Sequence, residues 1–169
     1  WSIKGIRKMI YDSIIIGKGP AGISAAIYLK RYGYNPLVIG KDGGALEKAH
    51  LIENYYGIDS ISGNDLIEKG INQAKRLGIE VLTEEVVDIS FFDNLTITTK
   101  DNVYQAKTIV LALGASRNRY VKADKFEGVS YSATCDVFFY RKKRLALIGN
   151  GSYMKHELEV LENITKDIT

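Results

Sequence analysis

The sequence predicts an α/β fold: a parallel sheet with a β-meander inserted before its last strand, followed by the beginning of a second α/β unit. Three observations carry this expectation. A strand, a glycine turn, a helix and a second strand succeed one another between residues 13 and 39, close to the roughly 30 residues of a βαβ unit. Short β-rich segments separated by Asp93-Asn94 and Asp101-Asn102 follow further on, as in a meander. A second apolar segment then runs into Gly149-Asn150-Gly151 and a helical pattern, repeating the opening arrangement.

Residues 1–10 are read as a tail, because Met9 lies just before the first strong strand signal. Residues 13–16 form a short apolar run ending in glycine, the pattern of a buried parallel strand. Residues 21–32 are rich in helix formers, with Ile23, Ala26, Ile27 and Tyr28 available for one face and Gly33 as the stop. Residues 37–39 are a second strand. Residues 40–63 are long and irregular, a length at which loops are usually functional. Asn64 or Asp65 can cap a helix carrying Leu66, Ile67, Ile71, Ala74 and Leu77, stopped by Gly78. Strands are expected at 80–82, 86–89, 95–99 and 103–106, and a further buried strand at 109–113. The polar, basic stretch 116–125 reads as a linker. Residues 145–148 are a strand and 152–164 a helix. The chain reaches Thr169 where the next strand is expected, so the second unit is begun and not finished.

Composition narrows the function classes. The 169 residues are 46% apolar and 25% charged, globular proportions that exclude a disordered chain, a collagen or a coiled coil. Lys and Arg number 23 against 20 Asp and Glu, too weak a bias for nucleic acid or an acidic membrane as partner. One Cys excludes a disulfide framework and indicates a reducing compartment, the cytoplasm. The apolar run at 14–16 is too short and too interrupted for a signal peptide, and no run is long enough to span a membrane. The basic run 141–144 is a solvated turn. His50 and His156 lie far apart and the Cys has no ligand-spaced partner, so no metal site is expected. No nucleophile elbow points to a hydrolase.

Chemistry concentrates at Gly17-Lys18-Gly19-Pro20-Ala21-Gly22, a GxGxxG between strand and helix. Gly17 permits the tight turn, Gly19 lets backbone approach a diphosphate, and Gly22 lets helix pack on strand. The helix N-terminus offers N–H groups and the positive end of its dipole to phosphates. Pro20 suits the first turn, where its missing N–H has no intrahelical partner. The acid that normally ends the second strand and holds the ribose is missing: the chain reads Val38-Ile39-Gly40-Lys41, with Asp42 nearby but late.

These residues resemble the thioredoxin reductase-like pyridine nucleotide-disulfide oxidoreductases, over about residues 11–168. The segment 19–28 is similar to the family's FAD-binding start. Gly43-Gly44-Ala45-Leu46 resembles a Gly-Gly-Gln-Leu loop near the flavin, with Ala45 in place of Gln. Asn54, in Ile52-Glu53-Asn54-Tyr55-Tyr56-Gly57, matches an Asn that contacts FAD. Residues 83–85, with Glu84 at their centre, fall where adenine meets backbone. Ala112-Leu113-Gly114-Ala115-Ser116 resembles Ala-Thr-Gly-Ala-Ser. Ser132-Ala133-Thr134-Cys135-Asp136 matches the redox motif Cys-Ala-Thr-Cys-Asp, with Ser132 in place of its first Cys.

The resemblance implies a Rossmann-like FAD-binding domain whose N-terminal part is 11–116, a linker at 117–126, and the beginning of an NAD(P)-binding domain at 127–169. It implies that Cys135 is the redox thiol and Asp136 the acid that protonates a departing thiolate. From the residues alone, Cys135 is also readable as a buried small apolar side chain and Asp136 as a helix cap. Gly149, Gly151 and Ser152 resemble the NAD(P)H phosphate loop, with Met154 at its third small position. The function implied is an FAD-dependent oxidoreductase relaying electrons from NAD(P)H to a disulfide or other acceptor. A thioredoxin-like protein, a small disulfide or ferredoxin would be its partner, and a homodimer its full-length assembly. The alternatives are a flavin-binding or degenerate module without turnover, and a ferredoxin-linked flavin reductase lacking a working NAD(P)H site.

Overall fold

The structure, a computed structural model, describes residues 6–91, 93–114, 126 and 128–169; the side chains of residues 6–8, 134 and 135 lie outside that description. The chain divides into two compact units, Trp1–Ser116 and Arg117–Thr169. The expected linker falls almost entirely outside the described residues.

In the first unit β1 (Ile6–Ile16), α1 (Pro20–Arg31) and β2 (Pro36–Ile39) form the expected βαβ unit. Strand β1 starts at Ile6, earlier than residue 13 and inside the segment read as a tail, because Ile6 already pairs with Val103. A 3-10 turn at Gly44–Lys48 precedes α2 (Gly63–Arg76), and β3 (Glu80–Leu82), β4 (Val86–Phe91), β5 (Leu95–Thr99) and β6 (Val103–Leu111) complete the unit. Among the described residues the sheet order is β3-β2-β1-β6-β5-β4. Strands β3, β2, β1 and β6 run parallel, whereas β5 is antiparallel to both β4 and β6.

Strand β6 corrects the sequence expectation of separate strands at 103–106 and 109–113. It is one strand, antiparallel to β5 and parallel to β1, so the meander's last strand is also the sheet's last parallel strand. Lys107-Thr108 reads as a polar break, but both residues join β6 to β1. The Lys107 ammonium meets Asp12 Oδ1 at 2.7 Å, and the Thr108 hydroxyl donates to the Asp12 carbonyl at 2.9 Å.

Continuous apolar strands are explained by burial on two faces. Ile15 and Val38 pack with Ile23, Ala26, Ala74 and Ile79 from the helical layer. Ile14, Ile16, Leu37 and Ile39 pack with Ile97, Tyr104 and Ala106 on the other face. Of the expected α1 face, Ile23 and Ala26 are buried but Tyr28 is exposed. The cap of α2 is Ser62, not Asn64 or Asp65: its hydroxyl accepts the Asp65 N–H at 3.1 Å and donates to the Asp65 carboxylate at 2.7 Å. The start is set by Gly63, where a Cβ would stand 1.8 Å from the Leu46 carbonyl oxygen.

In the second unit, α3 (Ala133–Asp136), a 3-10 turn (Val137–Tyr140) and α4 (Gly151–Leu161) surround a small core of Ala133, Val137 and Leu161. The strand expected at 145–148 is reduced to a parallel bridge between Leu145 and Ile168. The Leu147 N–H extends that pairing to the Thr169 carbonyl at 2.8 Å. The basic run 141–144 is a turn with Lys142 at φ 60°, and Arg144 pairs with Asp167 at 3.0 Å.

Candidate functional site

A cleft of about 700 Å³ opens within the first unit, where β1, β2 and β6 end and the chain leaves β3. Ligands of doubly wound sheets bind at this carboxyl edge, where the strand order reverses direction. Here β1 lies between β2 on one side and β6 on the other.

The glycine turn forms the cleft's centre and is locked by backbone contacts. Gly17 has φ +117°, and a Cβ there would stand 2.1 Å from the Ala112 carbonyl oxygen. Its N–H donates to the Ile39 carbonyl at 2.7 Å. A Cβ on Gly22 would stand 1.9 Å from the Gly17 carbonyl oxygen and 3.2 Å from Ile15 Cγ2. Both positions therefore exclude a side chain, for reasons internal to the fold. Gly19 differs: its nearest neighbour would be the Gly43 carbonyl at an ordinary 3.6 Å. Bareness at Gly19 keeps the cleft open and is not imposed by packing. Gly19 is the N-cap of α1 without a side-chain cap, Pro20 opens the helix, and no acid sits in its first turn. The positive end of α1 thus faces the cleft uncapped by any side chain, an arrangement suited to an anion.

Gly43, Gly44, Ala45 and Leu46 line the same cleft, as do Ala21, Ala112, Gly114 and Glu84. The Gly43 N–H donates to Glu47 Oε1 at 2.6 Å and the Gly44 N–H to Asp42 Oδ1 at 3.0 Å, shaping that wall. Asn54 is exposed and is not among the residues lining the cleft. It sits between the Ile52–Ile61 bridge and the Tyr55–Ile58 bridge. Ala115 lies outside the described residues.

Two features of the cleft wall escape a reading of local sequence. The Glu84 carboxylate accepts the Thr99 hydroxyl at 2.6 Å, the Asn102 amide at 3.1 Å and the Tyr104 hydroxyl at 2.8 Å. Its side chain thereby ties the chain after β3 to β5 and β6. Lys18, the variable residue inside the glycine motif, donates to the Thr83 hydroxyl at 2.8 Å. An unusual lysine between two glycines is the only local signal for it. Beside them the Lys100 ammonium pairs with the Glu85 carboxylate, with Lys41 at 3.6 Å. Hydrogen bonding to Lys100 holds Glu85 below its ordinary carboxylate range and raises Lys100 in return.

The second unit has its own cavity of about 850 Å³, lined by Ser132, Ala133, Gly149, Asn150, Met154 and Glu157 among others. Gly149 borders it, but Gly151 and Ser152 do not. Met154 lies along Gly149, its Cγ 3.3 Å from where a Cβ of Gly149 would stand. Ser132 is the N-cap of α3, and Asp136 stands at the N-cap position of the 3-10 turn that follows, without a side-chain capping hydrogen bond. The Asp136 carboxylate accepts the Ser130 hydroxyl at 2.6 Å, and the Ser132 N–H donates to the same hydroxyl at 3.1 Å. Glu157, 7% exposed, accepts the N–H of Ala133 and so holds the start of α3. The backbone of Cys135 is in α3; its side chain is outside the described residues. No cluster of three or more His, Cys, Asp or Glu suited to a metal occurs among the described residues. Nor is any described helix long and apolar enough to cross a membrane.

The family model for pyridine nucleotide-disulphide oxidoreductases matches residues 11–153. The chain belongs to this family. As a pyridine nucleotide-disulphide oxidoreductase it is 38% identical to the thioredoxin reductase of Listeria monocytogenes, over 96% of this chain and 53% of that protein. It is 34% identical to the thioredoxin reductase of Bacillus subtilis, over 96% and 54%. Among solved structures, the thioredoxin reductase of Streptococcus pyogenes aligns with a TM-score of 0.84 at 34% identity, covering 94% of this chain and 54% of that one. The Giardia duodenalis enzyme aligns at 0.87 and 26%, covering 95% and 55%. The chain thus spans about half the length of the curated relatives it matches.

Proposed function

We propose that this chain carries the FAD-binding and redox-thiol segments of an oxidoreductase of thioredoxin reductase type. The supporting observation is the glycine turn: backbone contacts exclude side chains at Gly17 and Gly22, while Gly19 stays bare without being forced to by packing, at an uncapped helix N-terminus. That cradle fits a diphosphate. FAD, when bound, would accept and release electrons between NAD(P)H and a disulfide.

The chain's own residues then have separable tasks. Gly19, Pro20, Ala21 and Gly22 present the helix N-terminus to the diphosphate. Gly43, Gly44, Ala45, Leu46, Ala112 and Gly114 wall the cleft. Glu84 holds the backbone of the connection after β3 against the adenosine end. Cys135 is the thiol, and Asp136, oriented by Ser130, delivers a proton to a departing thiolate. With Ser132 in the first cysteine position, Cys135 can form a mixed disulfide but a second thiol must resolve it. A thioredoxin-like protein or a small disulfide is the acceptor, as the names of the relatives support. The site of action is the cytoplasm and the assembly a homodimer. The ferredoxin alternative finds no support among these relatives.

Uptake of FAD by the purified full-length protein tests this reading: binding should quench flavin fluorescence and colour the protein yellow. Absence of uptake would overturn it. A second reading, flavin binding without turnover, is favoured by Met154, whose side chain lies against Gly149 in the second glycine loop. NADPH- or NADH-driven reduction of the aromatic disulfide DTNB separates the two. Turnover supports the oxidoreductase and a competent loop of Gly149, Gly151 and Ser152; a yellow protein without turnover supports the second reading.

A further inference from the structure

The fingerprint's ribose-binding acid does not end β2, where Gly40 and Lys41 stand and Asp42 follows on the cleft wall, and the structure shows what lies beside that end. A Cβ on Gly40 would stand 2.7 Å from the backbone nitrogen of Lys18, 3.0 Å from its Cγ and 3.2 Å from its Cβ. The Lys18 chain therefore fills the space beside the β2 end. It continues across that end to the Thr83 hydroxyl, 2.8 Å from Nζ, beyond β3. Lys18 spans the carboxyl edge from β1 over β2 to β3, along the rim of the cleft. Of the other charged groups there, Lys41 and Lys100 both meet Glu85, Asp42 accepts the Gly44 N–H, and Glu84 accepts two hydroxyls and an amide. Among the described residues the Lys18 ammonium meets a hydroxyl and no carboxylate. An ammonium has three donors, and one suffices for Thr83.

We infer that Lys18 takes over the role of the missing acid and engages the adenosine diphosphate half of the ligand, as a cationic donor where the fingerprint places an anionic acceptor. The inference rests on the dinucleotide reading of the cleft and adds a residue that the glycine fingerprint does not include. Its remaining donors serve ribose and phosphate oxygens, and its charge complements the diphosphate. Charge-assisted hydrogen bonds are about twice as strong as neutral ones.

The test is equilibrium binding of FAD to the full-length protein, followed by flavin fluorescence at low salt and at about 0.5 M salt. Lys18→Met should weaken binding at least tenfold at low salt, and the gap should narrow at high salt. Lys18→Arg should retain most of the affinity. Thr83→Val removes the hydroxyl that the Lys18 ammonium meets but leaves the charge, so it should weaken binding far less than Lys18→Met. Three results would overturn the inference: Lys18→Met within twofold of the parent, a gap insensitive to salt, or equal losses in Lys18→Met and Thr83→Val. If the parent protein takes up no FAD, the flavin reading falls and this inference with it. If the parent binds and Lys18→Met matches it, this inference falls alone.

Discussion

Replacing Gly22 by alanine probes the close approach on which the cleft's geometry depends. The new methyl would stand 1.9 Å from the Gly17 carbonyl oxygen and 3.0 Å from its carbonyl carbon. Both are backbone atoms, so no rotamer change relieves the overlap. The helix and the turn must part by roughly 1 Å, which a close-packed interior resists. Overpacking of this kind costs about 3 kcal/mol at the upper end of its usual range. Alanine returns about 1 kcal/mol through its higher helix propensity. The net expectation is a loss of about 2 kcal/mol, or a Tm lower by about 4–8 °C for a chain of this size. Gly70 supplies the control. It also lies in a helix, α2, but a Cβ there would make ordinary contact with Ile23 Cγ2 at 3.5 Å. Gly70→Ala should therefore stabilise, by about 1 kcal/mol. Thermal and urea unfolding followed by circular dichroism would measure both. A Gly22→Ala protein as stable as its parent, or a Gly70→Ala protein destabilised as much as Gly22→Ala, would refute the steric argument.

Glu84→Ala should destabilise the first unit by about 1–3 kcal/mol, because the fully buried Tyr104 hydroxyl loses the carboxylate it donates to, while the Thr99 hydroxyl keeps the Asn102 carbonyl at 3.2 Å; urea midpoints measure it, with Glu84→Gln expected in between. Acid should weaken the joint between β1 and β6. Hydrogen bonding from Lys107, and then from the Asn35 N–H, holds Asp12 below its ordinary value of 3.8. Its contribution is present above that value and fades as pH falls through the lower folded value. Lys107 is raised in return, mainly by the hydrogen bond to Asp12, so its contribution fades only as pH rises above its ordinary 10.5. Urea midpoints recorded from about pH 5 to pH 2 should therefore fall more steeply in the parent than in Asp12→Asn.

The parts of the fold written in short stretches of sequence were readable without the structure. Pro20 at the first helical position, Gly33 and Gly78 beyond helix ends, and apolar runs of strand length all act through neighbours in the chain. Gly17 and Gly22, neither of which can carry a side chain, are likewise legible, because the turn between β1 and α1 demands them. The continuity of β6 was not legible, since Lys107-Thr108 breaks the apolar pattern and gains its meaning only from Asp12 across the sheet. Ser62 is masked as a cap by the two good capping residues that follow it, and Gly63, pinned under the Leu46 carbonyl, decides the start.

The order of elements and the phosphate-type turn follow from composition and spacing, which record local backbone preference and burial, and the family resemblance follows from matched motifs. Which side chains meet at the cleft was settled by folding. Lys18 reaches Thr83, Glu84 gathers Thr99, Asn102 and Tyr104, and Asn54 stays away. Such meetings depend on strand order and register, and both come from sheet pairing between segments far apart in the chain, which no local pattern encodes.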